Sequence, residues 1–199
     1  MDKTDYNIGT VGNLNPAAHT VNNNYYGNAE TSRMAADFEK LRQEICKGIT
    51  QNIFDELDYY LTELPGTRPA EDKLSDGHFS DYQIREAMRQ KDLYARRAEK
   101  YKYYPAAQQI IYDIFCCIKN EFYASIYPMV EAGQPLADIL LALRINIVKP
   151  LMEKLERNGA SDEYLRFSED HIYGMIYYLT GMCHLNWTVY NEKDLNLEP

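Results

Sequence analysis

YKYYPAAQQIIYDIFCCIKNEFYASIYPMVEAG, residues 101–133, is the stretch that decides the fold. Its apolar residues recur at steps of three and four: Ile110, Ile111, Ile114, Phe115, Ile118, Phe122 and Ile126. This spacing predicts a helix with one apolar stripe. Pro105 suits its first turn, Pro128 is expected to kink or end it, and Gly133 marks its end. Because the stripe needs partners, we expect the central helix of a bundle, with Ile114 fully buried.

The segment before this stretch has a similar character. Apolar residues keep helical spacing from Met34 over roughly thirty residues, which is long for a globular helix. Pro65 and Gly66 are expected to end that helix. Residues 66–77 are rich in Pro, Gly and Asp and are predicted to form a connector. Ser80 is then placed to cap a second helix.

The segment behind the central stretch predicts further helices. Apolar spacing indicates one over residues 136–155, which Pro150 interrupts and Asn158-Gly159 stops. A short helical turn is expected over residues 161–167, before the last helix begins.

Ser168 is placed to cap that last helix. Gly174 and Gly181 lie seven residues apart on one of its faces, and we expect them to let another helix come close. Together these segments predict an all-α fold, a helical bundle of about five helices. The helical domain is expected over residues 31–190, followed by a loose tail over residues 191–199.

Residues 1–30 differ from the rest of the chain, because Gly, Asn and Thr dominate them and charge is nearly absent after Asp5. They predict an extended, β-like arm with strand pieces over 7–14 and 19–26. Either the arm is floppy, or it pairs with copies of itself or with a partner strand. The apolar contact points would be Ile8, Val11, Leu14, Val21 and Tyr25.

The start of the long helix is also a candidate for self-association. Four apolar residues there approach a heptad pattern: Met34, Phe38, Leu41 and Ile45. A heptad stripe can pack against its equivalent in a second copy. With the arm, it predicts a homo-oligomer, most often a closed dimer.

Residues 85–102 form the one locally basic element. The cations that we take as interaction residues are Arg85, Arg89, Arg96, Arg97 and Lys100. One interpretation is a solvated helix face whose charges pair with acidic neighbours. The other is a contact to an acidic partner protein or to a phosphate backbone. The net charge of −9 argues against a general nucleic-acid binder, although it leaves a local basic face possible.

No catalytic or metal-binding arrangement is recognisable in the sequence. His171 and His184 are 13 residues apart, more than three helical turns, so a straight helix cannot bring them to one metal. Neighbouring Cys183 and His184 would point about 100° apart on a helix, which disfavours a nucleophile–base pair. We therefore expect a non-enzymatic protein without a cofactor.

The cysteines and the N-terminus indicate the cellular compartment of the protein. The chain has four cysteines and no CxxC pair, which is typical of buried, reduced thiols. No signal peptide and no transmembrane stretch is recognisable. The sequence therefore predicts a cytoplasmic protein that does not enter a membrane.

Three pieces of the chain resemble a known family: EDKLSDG at 71–77, the stretch 101–133, and EDHIYGMIYYLTGMCHLNW at 169–187. They look like the C-terminal domain of effector proteins in bacterial ABC-three-component conflict systems, which overlap Lamassu anti-phage defence. The resemblance covers residues 71–187. It implies a helical domain behind an effector domain, commonly a nuclease, with an SMC-like ABC ATPase and a middle component as partners.

Where that family has its effector domain, this chain has only residues 1–6 ahead of the Gly/Asn-rich segment. If the chain is complete, the nuclease is absent and no catalytic residue can be carried over. The resemblance then implies an assembly or sensing subunit that self-associates, docks to the ATPase complex, or both. The alternative hypothesis is a nucleic-acid-binding regulator that uses the basic helix over residues 85–102.

Overall fold

The computed structural model of the protein describes residues 32–64 and 67–189, and this part of the chain contains no strand. Its helices are α1 (Arg33–Lys47), α2 (Asp55–Leu61), α3 (Ala70–Asp76), α4 (Asp81–Tyr101), α5 (Pro105–Glu121), α6 (Tyr127–Glu131), α7 (Leu136–Leu143), α8 (Lys149–Asn158) and α9 (Glu169–Gly181). Two π-helical turns, Phe122–Ile126 and Arg144–Val148, link α5 to α6 and α7 to α8. The predicted all-α fold is confirmed. The predicted arm and tail, residues 1–30 and 191–199, lie outside the described residues.

Helix α5 is the central element. It packs against α1 and α2, and it also contacts α9. Ile110, Ile114 and Ile118 are completely buried along its stripe, as the spacing predicted. The helix begins at Pro105, where the missing N–H of proline removes no helical hydrogen bond.

Helices α4 and α9 form the closest pair in the bundle. Both begin at the predicted serine caps, Ser80 and Ser168. Ser80 forms a reciprocal capping box with Gln83, and the N–H of Ser168 donates to Nδ1 of His171 at 3.2 Å. Their contact depends on Gly174, because a Cβ atom there would lie 2.2 Å from the carbonyl oxygen of Gln90 on α4. Close approach at this glycine was predicted. Gly181 is less restrictive, since the nearest atom to its Cβ position would be 3.5 Å away.

The prediction of one long first helix was wrong. The first helix, α1, ends before Gly48, which adopts φ +65° and closes α1 with N–H bonds to the carbonyls of Glu44 and Ile45. Glycine takes this left-handed conformation without the steric cost of a Cβ atom. An extended segment then leads to α2. It is held by the fully buried Gln108, whose Nε2 donates to the carbonyl of Asn52 at 3.2 Å.

Helix α1 also completes the start of α5. The carboxylate of Glu44 is only 3% exposed as a residue, and its Oε2 accepts the N–H of Ala106 at 2.9 Å. The first N–H groups of a helix have no partner within it, and the positive end of its dipole favours a carboxylate. A buried glutamate on one helix therefore caps the central helix from outside.

Both π turns precede a proline. Tyr127 and Lys149 bond to carbonyls five residues back, and Pro128 and Pro150 follow directly. Proline lacks an N–H, and its ring collides with the carbonyl four residues back in a regular helix. The wider turn accommodates both effects. Neither proline ends its helix, because α6 continues to Glu131 and α8 to Asn158, so the predicted end at Pro128 and interruption at Pro150 are replaced by a widened turn before each proline.

Two local predictions were wrong. Residues 70–76 of the expected connector form α3. The expected helical turn over residues 161–167 is irregular, because the Asp162 carboxylate accepts the N–H groups of Tyr164, Leu165 and Arg166 at 2.7–3.1 Å. Aspartate commonly competes with helix formation in this way.

Candidate functional site

An apolar cleft opens between α4, α7 and α9. Its apolar lining consists of Phe79, Tyr82, Ala87, Leu140, Tyr173 and Tyr177, and its volume is about 210 Å³. Tyr82, in the first turn of α4, is 70% exposed. The rings of Tyr173 and Tyr177 are nearly parallel, 6.4 Å apart, one turn from each other on α9. Tyr177 is buried, so the exposed Tyr82 is the tyrosine of this cleft that presents an apolar ring and a polar tip to a partner.

Helix α7 and the turn behind it carry a second exposed apolar surface. Its sequence, LADILLAL, is apolar on nearly all sides, and only one side can face the core. Ile139 and Leu143 point inward and are buried. Leu141 and Ile145, which are 57% and 51% exposed, lie one turn apart on the outside. Exposed apolar patches are typical of protein-interaction sites.

Ion pairs fix the edge of the cleft. Arg89 on α4 donates to Glu86 at 2.6 Å and, across the helix pair, to Asp170 at 3.1 Å. The bonds from Arg89 and from Gln90 hold the pKa of Asp170 below its usual range. Arg144 bonds to Glu169 at 3.3 Å and so ties the turn behind α7 to α9. Ion pairs therefore connect α4 to α9 and connect the turn behind α7 to α9.

Two arginines of the predicted basic face, Arg89 and Arg97, bond to other parts of their own chain. Arg89 is paired as described, and Arg97 donates to the carbonyls of Tyr164 and Leu165, so it supports the loop before α9. Neither group is a free surface cation. Arg97 therefore has an intramolecular partner in this fold, and its role as an interaction residue stays a prediction.

The other cations of α4 face the solvent. Arg85 and Arg96 are exposed and have no ion pair within residues 32–64 and 67–189. The Nζ atom of Lys100 lies 5.1 Å from the centre of the Tyr101 ring. Asp92 is exposed on the same helix, so the face is of mixed charge rather than uniformly basic.

The predicted self-association seam on α1 lies largely inside the fold. Met34, Phe38 and Leu41 are 5%, 8% and 0% exposed, because α1 packs against α5 and α8 of its own chain. The prediction that they pack against a second copy is therefore wrong for this fold. Ile45 is half-buried against the same core.

The arm residues cannot be placed. Ile8, Val11, Leu14, Val21 and Tyr25 lie outside the described residues, so their role in self-association stays a prediction.

The two histidines of the last segment have separate surroundings. Nδ1 of His171 lies 2.8 Å from the hydroxyl of Ser168, at the start of α9. His184 follows the end of α9, and its Nε2 lies 3.1 Å from the carbonyl oxygen of Tyr59. Burial lowers the pKa of both. No group of histidine, cysteine and acidic side chains in the described chain could hold a metal ion.

Two features of the structure were missed from the sequence. The cleft joins three distant segments, and the apolar character of α7 on all sides was the signal that could have revealed it. The second is a contact of 2.9 Å between Lys73 Nζ and Cys183 Sγ, which are 110 residues apart. No local pattern announces such a contact.

The fold and this surface define an all-helical domain with an exposed apolar cleft. A family model, described as C-terminal domain 9 of the ABC-three component (ABC-3C) systems, matches residues 70–187. The match spans more than half of the 199-residue chain, so the chain belongs to this family. The resemblance stated from the sequence is confirmed, over nearly the same residues.

Neither a search of curated proteins nor a search of solved structures returned a match. In the described ranges, none of the helices combines the length and the apolar character that a membrane span needs.

Proposed function

We propose that this chain is a non-catalytic assembly subunit of a bacterial anti-phage defence complex, and that its apolar cleft docks onto the SMC-like ABC ATPase of that complex. Membership of the ABC-three-component family gives the chain a role in a system of several proteins. The exposed cleft between α4, α7 and α9 is the observation that carries the proposal.

The cleft offers side chains that contribute strongly when a partner covers them. Fully burying one large apolar side chain contributes about 1.5–3 kcal/mol. Tyr82, Leu141 and Ile145 are each at least half exposed, so most of this contribution is still available to a partner. Tyrosine is also among the residues that dominate interface energies. The ion pairs at the edge keep the surface in place before binding, which reduces the entropy lost on association.

The charges near the cleft indicate which partner surface fits. Arg85 lies one helical turn from Tyr82, is exposed and has no ion pair in the described chain. A partner that inserts an apolar side chain into the cleft would therefore gain from an acidic residue beside it. We expect the matching site on the ATPase to combine an apolar anchor with an acidic flank.

Co-purification with the ATPase and the middle component tests the proposal. Tyr82→Asp places a charge in the cleft lining at a position that is 70% exposed, and we expect at least tenfold less ATPase to be recovered with it. Ile49→Asp is the matched control, because Ile49 is 47% exposed on the loop after α1 and does not line the cleft. Both variants should melt at the wild-type temperature. Full recovery of the ATPase with Tyr82→Asp would contradict the proposed docking.

Self-association is a separate part of the proposal and rests on the arm. The buried side chains on α1 are occupied by their own chain, so they are not available as a seam. We expect the intact chain to be oligomeric and removal of residues 1–30 to lower its order. Light scattering on both proteins measures this, and a monomeric intact chain at tens of micromolar would exclude it.

The nucleic-acid alternative keeps two supporting residues, Arg85 and Arg96, which are exposed and have no ion pair in the described part of the chain. Phosphate contacts weaken steeply as salt rises. A retardation assay across salt concentrations, with the double variant Arg85→Glu and Arg96→Glu as comparison, distinguishes it from docking. If nucleic-acid binding changes neither with salt concentration nor in the double variant, this alternative is excluded.

A further inference from the structure

Lys73 and Cys183 form a nucleophilic pair away from the cleft. Lys73 projects from α3 to the end of α9, where its Nζ donates to the carbonyls of Thr180 at 2.8 Å and Gly181 at 3.1 Å. The same Nζ lies 2.9 Å from Cys183 Sγ. The two carbonyls hold the ammonium group in position, so its approach to the sulfur is built into the fold.

Other polar groups also converge on this sulfur. The hydroxyl of Thr67 lies 3.5 Å from Sγ, and the backbone N–H of Arg68 faces it. Burial alone would raise the pKa of Cys183, but Lys73, Thr67 and that N–H together lower it below the usual value. The thiolate is the reactive form of cysteine, and a neighbouring cation favours it.

Small reagents have access to this end of α9. Cys183 is half-buried rather than enclosed. A cavity of about 300 Å³ is lined in part by Gly181, Met182 and Thr67, whose hydroxyl lies 3.5 Å from Sγ, although Cys183 itself is not part of the lining. The cavity is far larger than a peroxide molecule, since one water occupies about 30 Å³ of liquid.

We propose that Lys73 and Cys183 are a peroxide-responsive pair, which closes into a covalent sulfur–nitrogen cross-link between α3 and the segment behind α9. In the first step the Cys183 thiolate attacks one oxygen of hydrogen peroxide. The S–O bond forms as the O–O bond breaks, and the departing hydroxide takes a proton from the Lys73 ammonium. The products are a sulfenic acid, water and the neutral amine of Lys73.

In the second step the Lys73 amine attacks the sulfur of the sulfenic acid. The N–S bond forms, the S–O bond breaks, and water leaves with the hydroxyl and one amine proton. Sulfenic acids condense with nitrogen in this way to give sulfenamides. Peroxide is the only oxidant, and the protein has lost two hydrogen atoms in total. An added thiol reverses the bond by attacking the sulfur.

The chain contains an internal control for the geometry. Lys154 Nζ lies 3.9 Å from Cys117 Sγ, an ångström farther than in the proposed pair. Cys46 is exposed and provides a second comparison, because its access to peroxide is not restricted. If proximity and orientation decide, only Cys183 should form the cross-link.

The test treats the full chain with hydrogen peroxide and maps its peptides by mass. We expect one cross-linked peptide pair, joining Lys73 to Cys183, lighter than the reduced pair by two hydrogens and released by dithiothreitol. Lys73→Arg keeps the cation, so Cys183 should still oxidise quickly but form no cross-link. Lys73→Met should slow the oxidation of Cys183 about tenfold, because less thiolate is present.

Three results would overturn the proposal. They are a wild-type Cys183 that oxidises without any cross-link, a cross-link of equal yield at Cys117, and a rate for Cys183 no higher than that of Cys46. Melting temperatures of both Lys73 variants report on the fold. If Lys73→Met does not fold, the wild-type and Lys73→Arg peptides decide the outcome by themselves.

Discussion

The contact between α4 and α9 makes Gly174→Ala a sensitive test of the fold. The added Cβ atom would lie 2.2 Å from the carbonyl oxygen of Gln90 and 2.8 Å from Cβ of Tyr94. Favourable separations of non-bonded carbon atoms are about 3.5–4.0 Å. The obstacle is largely backbone, which cannot rotate away. The two helices must therefore move apart by roughly 1 Å, and their shared packing is disturbed.

The expected loss of stability follows from two opposing effects. Overpacking a core costs about 1–3 kcal/mol, and occasionally more. Alanine is favoured over glycine inside a helix by about 1 kcal/mol. Since the obstructing carbonyl belongs to the closest helix pair of the bundle, we place the steric cost at the upper end. The free energy of unfolding of Gly174→Ala should fall by about 2 kcal/mol.

Urea unfolding followed by circular dichroism measures this loss. With a slope of about 2 kcal/mol per molar urea, a 2 kcal/mol loss moves the midpoint down by about 1 M. Gly181→Ala is the matched control in the same helix, because its Cβ would meet nothing nearer than the Lys91 side chain at 3.5 Å. That variant should be as stable as the wild type or up to about 1 kcal/mol more stable. Equal midpoints for the two variants would refute the described packing of α4 against α9.

Three further predictions concern the core, the buried histidines and the family segment. Ile114→Asp should yield no soluble folded protein, because an unpaired buried charge costs several kcal/mol, whereas Ile145→Asp at the 51% exposed position should fold; similar soluble yields would contradict this. Burial lowers the pKa of His184, so its stabilising neutral form is present above about pH 6.5 and is lost as pH falls. His184→Asn should therefore show a smaller drop in urea midpoint between pH 7.5 and 5.5 than the wild type, and an equal drop would count against the burial. Residues 70–187 expressed alone lack α1 and α2, so the stripe of α5 is exposed and the fragment should aggregate; a cooperatively melting monomer in light scattering would show otherwise.

The strongest local signals in the sequence were sufficient to predict the helices that they control. The apolar stripe of α5 and the caps Ser80 and Ser168 depend on short-range geometry, and all three are confirmed. Gly48 was missed because apolar spacing continues past it through Ile49 and Ile53. A single glycine in the left-handed conformation outweighs that periodicity.

Longer-range features could not be predicted in the same way. The stripe with Phe38 and Leu41 has the pattern of a seam between copies, yet α5 of the same chain satisfies it. Periodicity shows that a face must be covered and does not show which helix covers it. Likewise, the pairing of Lys73 with Cys183 depends on the placement of α3, which the sequence had suggested to be a connector.

The π turns explain a spacing that a regular helix could not use. Five apolar residues, Ile110, Ile114, Ile118, Phe122 and Ile126, follow each other at steps of four, and all are completely buried. In a regular helix each such step overshoots a full turn by about 40°, so four steps would carry the last residue about 160° around the axis.

A π turn contains one extra residue and rotates the chain back, so the angular drift is offset. The same holds for the second run of fours, Ile139, Leu143, Ile147, Leu151 and Leu155, which is buried throughout and contains the other π turn. Each π turn thus shifts the angular position of the residues that follow it, and so keeps residues at four-residue steps on one side of the helical segment. If residues 122–126 wound as a regular helix with no residue removed, Ile126 would turn away from the core, whereas deleting one residue of 123–125 should convert the π turn into a regular helix and leave Ile126 on the core side.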